Sequence, residues 1–195
     1  YLPVEKGNEV EFGLYSADAK VRLDALQTVK SAKDMFFPFQ EDLMKFNLDG
    51  KKLSVKAAAK KDKDFVVFGV RACDARSFSI LDKVFLADPV DTYYQARREH
   101  GIVVSMACHR PEETCFCSTF GIDATKPEGD VVTWIAEDTL YWEAQTEKGE
   151  GLTKKVEAVL AESDSKAVEA QQAAVKEILK KLPLADLDLS YFTSH

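Results

Sequence analysis

The sequence has no long apolar run. Nowhere do about eighteen uncharged apolar residues follow one another, so no segment is suited to crossing a bilayer as a helix. Positive charge is also in short supply: 26 Lys and Arg stand against 33 Asp and Glu, a net charge of −7, which argues against a protein that works by neutralising nucleic-acid phosphates. Gly69, Gly101 and Gly121 are too scattered to make a G-x-G-x-x-G loop, so a dinucleotide fingerprint is missing. No internal repeat and no low-complexity tract appears. The opening "YLPVEKGNEVEF" lacks an initiator Met and a charged-then-apolar leader, and the closing "DLDLSYFTSH" has the pattern of a beginning amphipathic segment. The expectation is a piece of a longer cytoplasmic polypeptide. Acid–base pairs and open metal sites are not evident either, so bond chemistry is not expected of this chain itself.

What is present is enough sequence, 195 residues, for one sizeable α/β domain. We divide it into an N-terminal lobe (1–60), a cysteine-bearing core (61–150) and a helical segment (151–195). In the lobe, "VEFGLYSADAKVRLDAL" should be extended with a turn near Ser16–Asp18. Ser31 should cap a short helical turn that Pro38 breaks, and a second short helix is expected over Gln40–Phe46. Asp49–Gly50 should turn the chain between two short extended pieces, with "AAAKKDKD" as a polar connector beyond them.

The core carries the firmest pattern. "DFVVFGV" (64–70) and "GIVVSMA" (101–107) are short apolar, β-branched runs of the kind buried on both faces of a sheet. Between them "DARSFSILDKVF" puts Phe78, Leu81 and Phe85 on one helical face, and "LADPVDTYYQARREH" supplies a loop and a short helix. Strand, helical crossover and strand make a parallel βαβ unit. "DVVTWIAEDTLYWEAQT" predicts a hairpin about Glu137–Asp138. "LTKKVEAVLAE" and "KAVEAQQAAVKEILKKL" predict two helices, the second capped by Ser163 or Ser165 and stopped by Pro183. The expected fold is therefore α/β, a mixed sheet with a central parallel βαβ unit, a β-hairpin and C-terminal helices.

Topology gives the four cysteines a geometry. Cys73 follows the first core strand and Cys108 the second, so parallel pairing brings both to one sheet edge, where open α/β sheets place their sites. Cys115 and Cys117 lie on the loop leaving that edge. Four thiolates are the donor set of an iron–sulfur cluster and also of structural zinc. The spacing, C-x6-C-x-C plus a distant cysteine, matches none of the familiar ferredoxin runs. Arg71, Arg76, Arg97, Arg98, Arg110 and His109 crowd the same stretches and could offset the charge of an anionic cluster. A [4Fe-4S] cluster on Cys73, Cys108, Cys115 and Cys117 is the leading expectation. Zinc, a disulfide, inert buried thiols in a docking module, and a reactive Cys115 or Cys117 beside Arg110 and His109 are the alternatives.

The segments "SAKDMFFPFQEDLMKF", "VFGVRACDARSFSILDKVF", "DTYYQARRE" and "VVSMACHRPEETCFCSTFG" together resemble the N-terminal domain of a family of iron–sulfur electron-transfer subunits. That family includes the β subunit of cytoplasmic NiFe sulfhydrogenases and the A subunit of anaerobic sulfite reductase. The resemblance covers most of 1–150, with "CFCS" and R-x-C-D-A as its most specific parts. It implies that Cys73, Cys108, Cys115 and Cys117 occupy the family's cysteine signature, and that Asp74, Arg71 and Tyr94 stand around them. It further implies an anaerobic redox complex in which electrons pass between a flavoprotein or ferredoxin and a catalytic subunit. The ferredoxin-like domain that follows in the family, with its C-x2-C-x2-C-type motifs, has no counterpart here.

Overall fold

The computed structural model describes residues 1–58 and 63–193. Its centre is a four-stranded sheet of order β5-β6-β7-β8, formed by Phe65–Val70, Gly101–Met106, Val131–Ala136 and Thr139–Ala144. β5 and β6 run parallel, as do β6 and β7, and β8 returns antiparallel to β7. The predicted βαβ unit and the terminal hairpin are thus both present, the latter turning at Glu137 and Asp138 with a positive φ of 54° at Glu137. Two strand pairs precede this sheet in sequence. β1 (Leu2–Lys6) pairs with β2 (Glu9–Gly13), and β3 (Met44–Asp49) pairs with β4 (Lys52–Ala57), each as an antiparallel ribbon of its own.

Helices α1 (Ala72–Phe85) and α2 (Thr92–His100) make the crossover from β5 to β6. Asp91 caps α2 by accepting from the N–H groups of Tyr93 and Tyr94. Against this face sits the larger core, with Phe36, Val67, Val70, Ala75, Phe78, Tyr94 and Val103 buried together. The Phe36 ring meets Phe78 edge-on at 4.8 Å, and the Arg98 guanidinium lies over both rings. A smaller core on the opposite face joins Ala107, Val132 and Trp134 to Val168 of α4 (Lys166–Leu179). α3 (Glu147–Val156) runs beside β8, and a short α5 (Ser190–Thr193) ends the described chain.

Three expectations need correction. Gln40–Phe46 is not helical: from Met44 the chain enters β3, because alternation of apolar and polar residues from 44 to 57 about a two-residue turn suits a ribbon better than a helix. The helix expected from Leu152 begins at Glu147, where the Thr146 hydroxyl accepts the Gly149 N–H and supplies the cap. α4 ends at Leu179 rather than running on to Pro183, and Ser165 stands at its N-cap without a side-chain cap bond. The turn near Ser16–Asp18 forms, the Ala19 N–H bonding the Ser16 carbonyl, and Ser31 does cap a short 3-10 turn over Ala32–Met35. Residues 59–62 of the connector "AAAKKDKD" lie outside the described residues. None of the described helices is long and apolar enough to cross a membrane.

Candidate metal centre

The C-terminal edge of β5 and β6 is shaped by two local irregularities. Register slips between Phe68 and Val70, where Gly69 adopts φ +87° and Pro3 of β1 packs so close that a side chain would meet it. Directly after this bulge, Arg71 stands at the N-cap of α1 and offers no side-chain cap. The helix therefore starts with unclaimed backbone N–H groups pointing out of the sheet edge, as every α-helix does without a capping side chain. Cys73 lies in that first turn. The Ala72 N–H favours the thiolate of Cys108, and the N–H groups of Cys73 and Asp74 favour that of Cys73.

On the neighbouring strand end, Cys108 is buried and its backbone N–H is held by the Ala124 carbonyl. The loop then turns back on itself. The Glu112 N–H donates to the Cys115 sulfur at 3.3 Å while the Cys115 N–H returns to the Glu112 carbonyl. A 3-10 turn over Cys117–Phe120 follows and is closed by the Ile122 N–H on the Cys117 carbonyl.

All four cysteines line one cavity of about 230 Å³, together with Arg71. Thr114, Phe116, Phe120 and Ile122 complete its wall from the loop, and Leu26 and Gln27 reach it from the N-terminal lobe. None of the four is in a disulfide. The Cys117 thiol donates to Cys73, and this bond brings Cys73 down to about 7 despite partial desolvation and the nearby Asp74 carboxylate. The same bond pushes Cys117 upward. Burial raises Cys108 to about 11, against the pull of the Arg71 charge.

Arg71 is the electrostatic oddity of the site. Its side chain is buried, and it donates to three carbonyls: Ala107 at 3.2 Å, and Leu23 and Ala25 at 2.7 Å each. Among the described residues it has no carboxylate in salt-bridge contact. Neutral acceptors satisfy its hydrogens without pairing its charge directly, and a buried cation costs several kcal/mol unless an anion faces it. Desolvation lowers its pKa, and the charges of Cys108, Cys73 and Asp24 oppose that lowering.

The other basic residues of the region do not face the cavity. Arg76 pairs with Glu128, Arg97 with Glu41, and Arg98 forks onto Asp82. Arg110 is exposed, and neither it nor His109 lines the cavity. Burial and the Arg71 and Arg110 charges hold His109 below the usual imidazole range, and its Nδ1 is buried without a partner. Asp74 accepts from Ser31 at 2.7 Å and so ties the lobe to the start of α1. Tyr94 lies within the aromatic core on the other side of α1, its hydroxyl donating to Asp82 at 2.7 Å, and takes no part in the cavity.

Leu26, Gln27, Phe116 and Phe120 escape the sequence reading. Phe116 sits between two cysteines and Phe120 four residues on, a signal that could have been used. Nothing in the sequence marks residues 26 and 27, which arrive through the lobe's packing.

Four thiols are a donor set that suits either an iron–sulfur cluster or a zinc ion. Sulfurs sharing a single zinc must lie within about 4 Å of one another, given Zn–S bonds near 2.3 Å. Among the described residues no three His, Cys, Asp or Glu side chains are grouped tightly enough to hold one metal ion. A cluster gives each cysteine its own iron.

No protein-family model matches the chain, and no solved structure does. Among curated proteins, sulfhydrogenase 2 subunit beta of Pyrococcus furiosus is 30% identical over 205 aligned positions, covering 98% of this chain. The chain spans 58% of that relative's length. The resemblance to the sulfhydrogenase β-subunit family, first visible in a few motifs, therefore extends along nearly the whole chain, and the protein is a relative of that family.

Proposed function

We propose that this chain is an electron-transfer domain of a hydrogenase-type redox complex, with an iron–sulfur cluster held by Cys73, Cys108, Cys115 and Cys117. The observation that carries this reading is the convergence of four free cysteines and a buried Arg71, without a salt-bridge partner among the described residues, on one cavity. When bound, the cluster would supply a centre that takes up and returns single electrons.

The chain's own residues have definite parts in this. Arg71 sets a fixed positive charge beside the thiolates of Cys73 and Cys108, favouring their deprotonated, ligating form. Its carbonyl bonds also fasten residues 23–25 to the end of β6, so the lobe closes one side of the cavity. The Glu112 N–H donates to the Cys115 sulfur, and the N–H groups of Ala72 and Asp74 favour the thiolates of Cys108 and Cys73, offsetting the negative charge that ligation concentrates there. Phe116 and Phe120, with Ile122, limit water on the outer side. The relative's designation as a subunit supports a role within an assembly, and the partners we propose are redox proteins: a flavoprotein or ferredoxin donor and a catalytic subunit.

Anaerobic reconstitution with iron and sulfide tests the reading. The expected product has broad visible absorbance and about four irons per chain, and Cys115→Ser loses most of both. A chain that takes up one zinc and no iron, or retains full iron after Cys73→Ser, would refute the cluster.

A further inference from the structure

Beyond the cavity wall, one stretch of backbone ties Cys117 to Cys108. It starts at Cys117, whose carbonyl accepts the Ile122 N–H, with Gly121 turning the chain between them at φ +65°. It ends against Cys108, whose own N–H donates to the Ala124 carbonyl at 2.8 Å. Residues 117–124 therefore begin on one cysteine and finish on the backbone of another. Whatever fixes the far end of this strap constrains both.

Asp123 makes that attachment. Its Oδ1 accepts the Thr125 N–H at 2.8 Å and the Thr125 hydroxyl at 2.6 Å, an Asx turn that holds Ala124 between the two residues. Ala124 and Thr125 are both buried. The Thr125 carbonyl accepts from Trp134 of β7 at 2.8 Å and from Gln172 of α4 at 3.2 Å, so the turn is built on backbone already fastened to sheet and helix. The other oxygen of Asp123, Oδ2, lies 3.6 Å from Lys176 of α4. That ion pair is half exposed at both ends, where such pairs contribute little, so the turn is the stronger of the two holds.

We propose that Asp123 is a positioning residue for the metal centre: its turn aims the Ala124 carbonyl at the Cys108 N–H and thereby presents Cys108 and Cys117 to one shared group. This role rests on the reading of the four cysteines as cluster ligands. The hold on Cys108 belongs to the chain alone, however, and can be read without iron.

Amide hydrogen exchange on the metal-free chain, resolved residue by residue by nuclear magnetic resonance, is the test. Asp123→Ala should speed exchange of the Cys108 amide about tenfold, the effect of losing a net hydrogen bond or two at a local opening. Asp123→Asn keeps an oxygen that can accept the Thr125 N–H and should stay near the native rate, as should Lys176→Ala. Amides of β5 are the internal reference and should not change. After reconstitution with iron and sulfide, Asp123→Ala should alter the electron paramagnetic resonance spectrum of the reduced chain, and Asp123→Asn should restore it. An alanine variant with native exchange at Cys108 overturns the role of Asp123, as does one in which β5 loses protection equally. So does an asparagine variant indistinguishable from the alanine one. If Cys108 responds as expected while native chain takes up no iron, the hold on Cys108 stands and the cluster reading falls.

Discussion

At the scale of single residues, the thiols of the cavity are electrostatically unequal, and that inequality can be read in metal-free protein. Cys73 receives a hydrogen bond from Cys117 and lies near 7, while burial keeps Cys108 near 11. Thiolate is the reactive form, so alkylation of Cys73 should rise as pH passes through about 7, with Cys108 inert until far more alkaline conditions. Removing the donor by Cys117→Ala takes away the bond that stabilises the Cys73 thiolate. Its pKa then climbs towards the ordinary thiol value, and neutral-pH alkylation slows about tenfold or more, since each unit of pKa above ambient pH costs about a factor of ten in thiolate. Mass-spectrometric mapping of modified cysteines over pH would show this order. Equal rates for Cys73 and Cys108 at neutral pH would mean that the hydrogen bond and the burial described above do not govern the site.

At the scale of elements, close approach of backbones sets limits that helix propensity cannot override. Gly149 lies in the first turn of α3, where a Cβ would fall on the Asp130 carbonyl, and that backbone atom has no flexible end to swing away. Alanine gains up to about 1 kcal/mol of helix propensity over glycine. Overpacking against fixed backbone costs about 1–3 kcal/mol, so Gly149→Ala should be net destabilising, read as a lower urea midpoint with unchanged slope. This contact also explains why the start of α3 was hard to see: "EKGEG" looks like a loop until Asp130 and the Thr146 cap are known. Legibility followed the same physics elsewhere. β5 and β6 were plain because strands buried on both faces must be continuously apolar, and their parallel pairing placed Cys73 and Cys108 at one edge. Residues 40–46 misled because a short apolar–polar mixture suits helix or ribbon alike, and only the pairing of Met44 with Ala57 decides. Arg71 was visible as a charge near cysteine, but not its three carbonyl bonds, two of which go to chain some 46–48 residues upstream. Tyr94 was drawn to the site by motif resemblance, whereas burial of its ring beside Phe36 and Phe85 belongs to the core.

On the scale of the whole molecule, the cavity is where three elements meet. The start of α1 brings Cys73, the end of β6 brings Cys108, and the 109–121 loop brings Cys115 and Cys117, while Arg71 fastens the N-terminal lobe across them. The loop is the weakest of these parts, since its own fastening is a handful of turn hydrogen bonds and much of it is exposed. A group that ligates all four cysteines would therefore act less on the sheet than on this loop, converting three independent attachments into one. Anything that binds only the folded state adds stability by mass action, about 2.7 kcal/mol when present at a hundred times its dissociation constant. For a chain of this length that corresponds to a melting temperature higher by about 5–10 °C. Loaded and metal-free protein should differ by that amount, and a glutamate-specific protease should cut at the exposed Glu112 and Glu113 much faster in the metal-free form. Cleavage elsewhere in the sheet should be little changed, because β5 and β6 are buried irrespective of the site. Equal melting temperatures and equal cleavage at 112 and 113 would show that the cysteines do not jointly hold anything, even if iron were found bound to the chain.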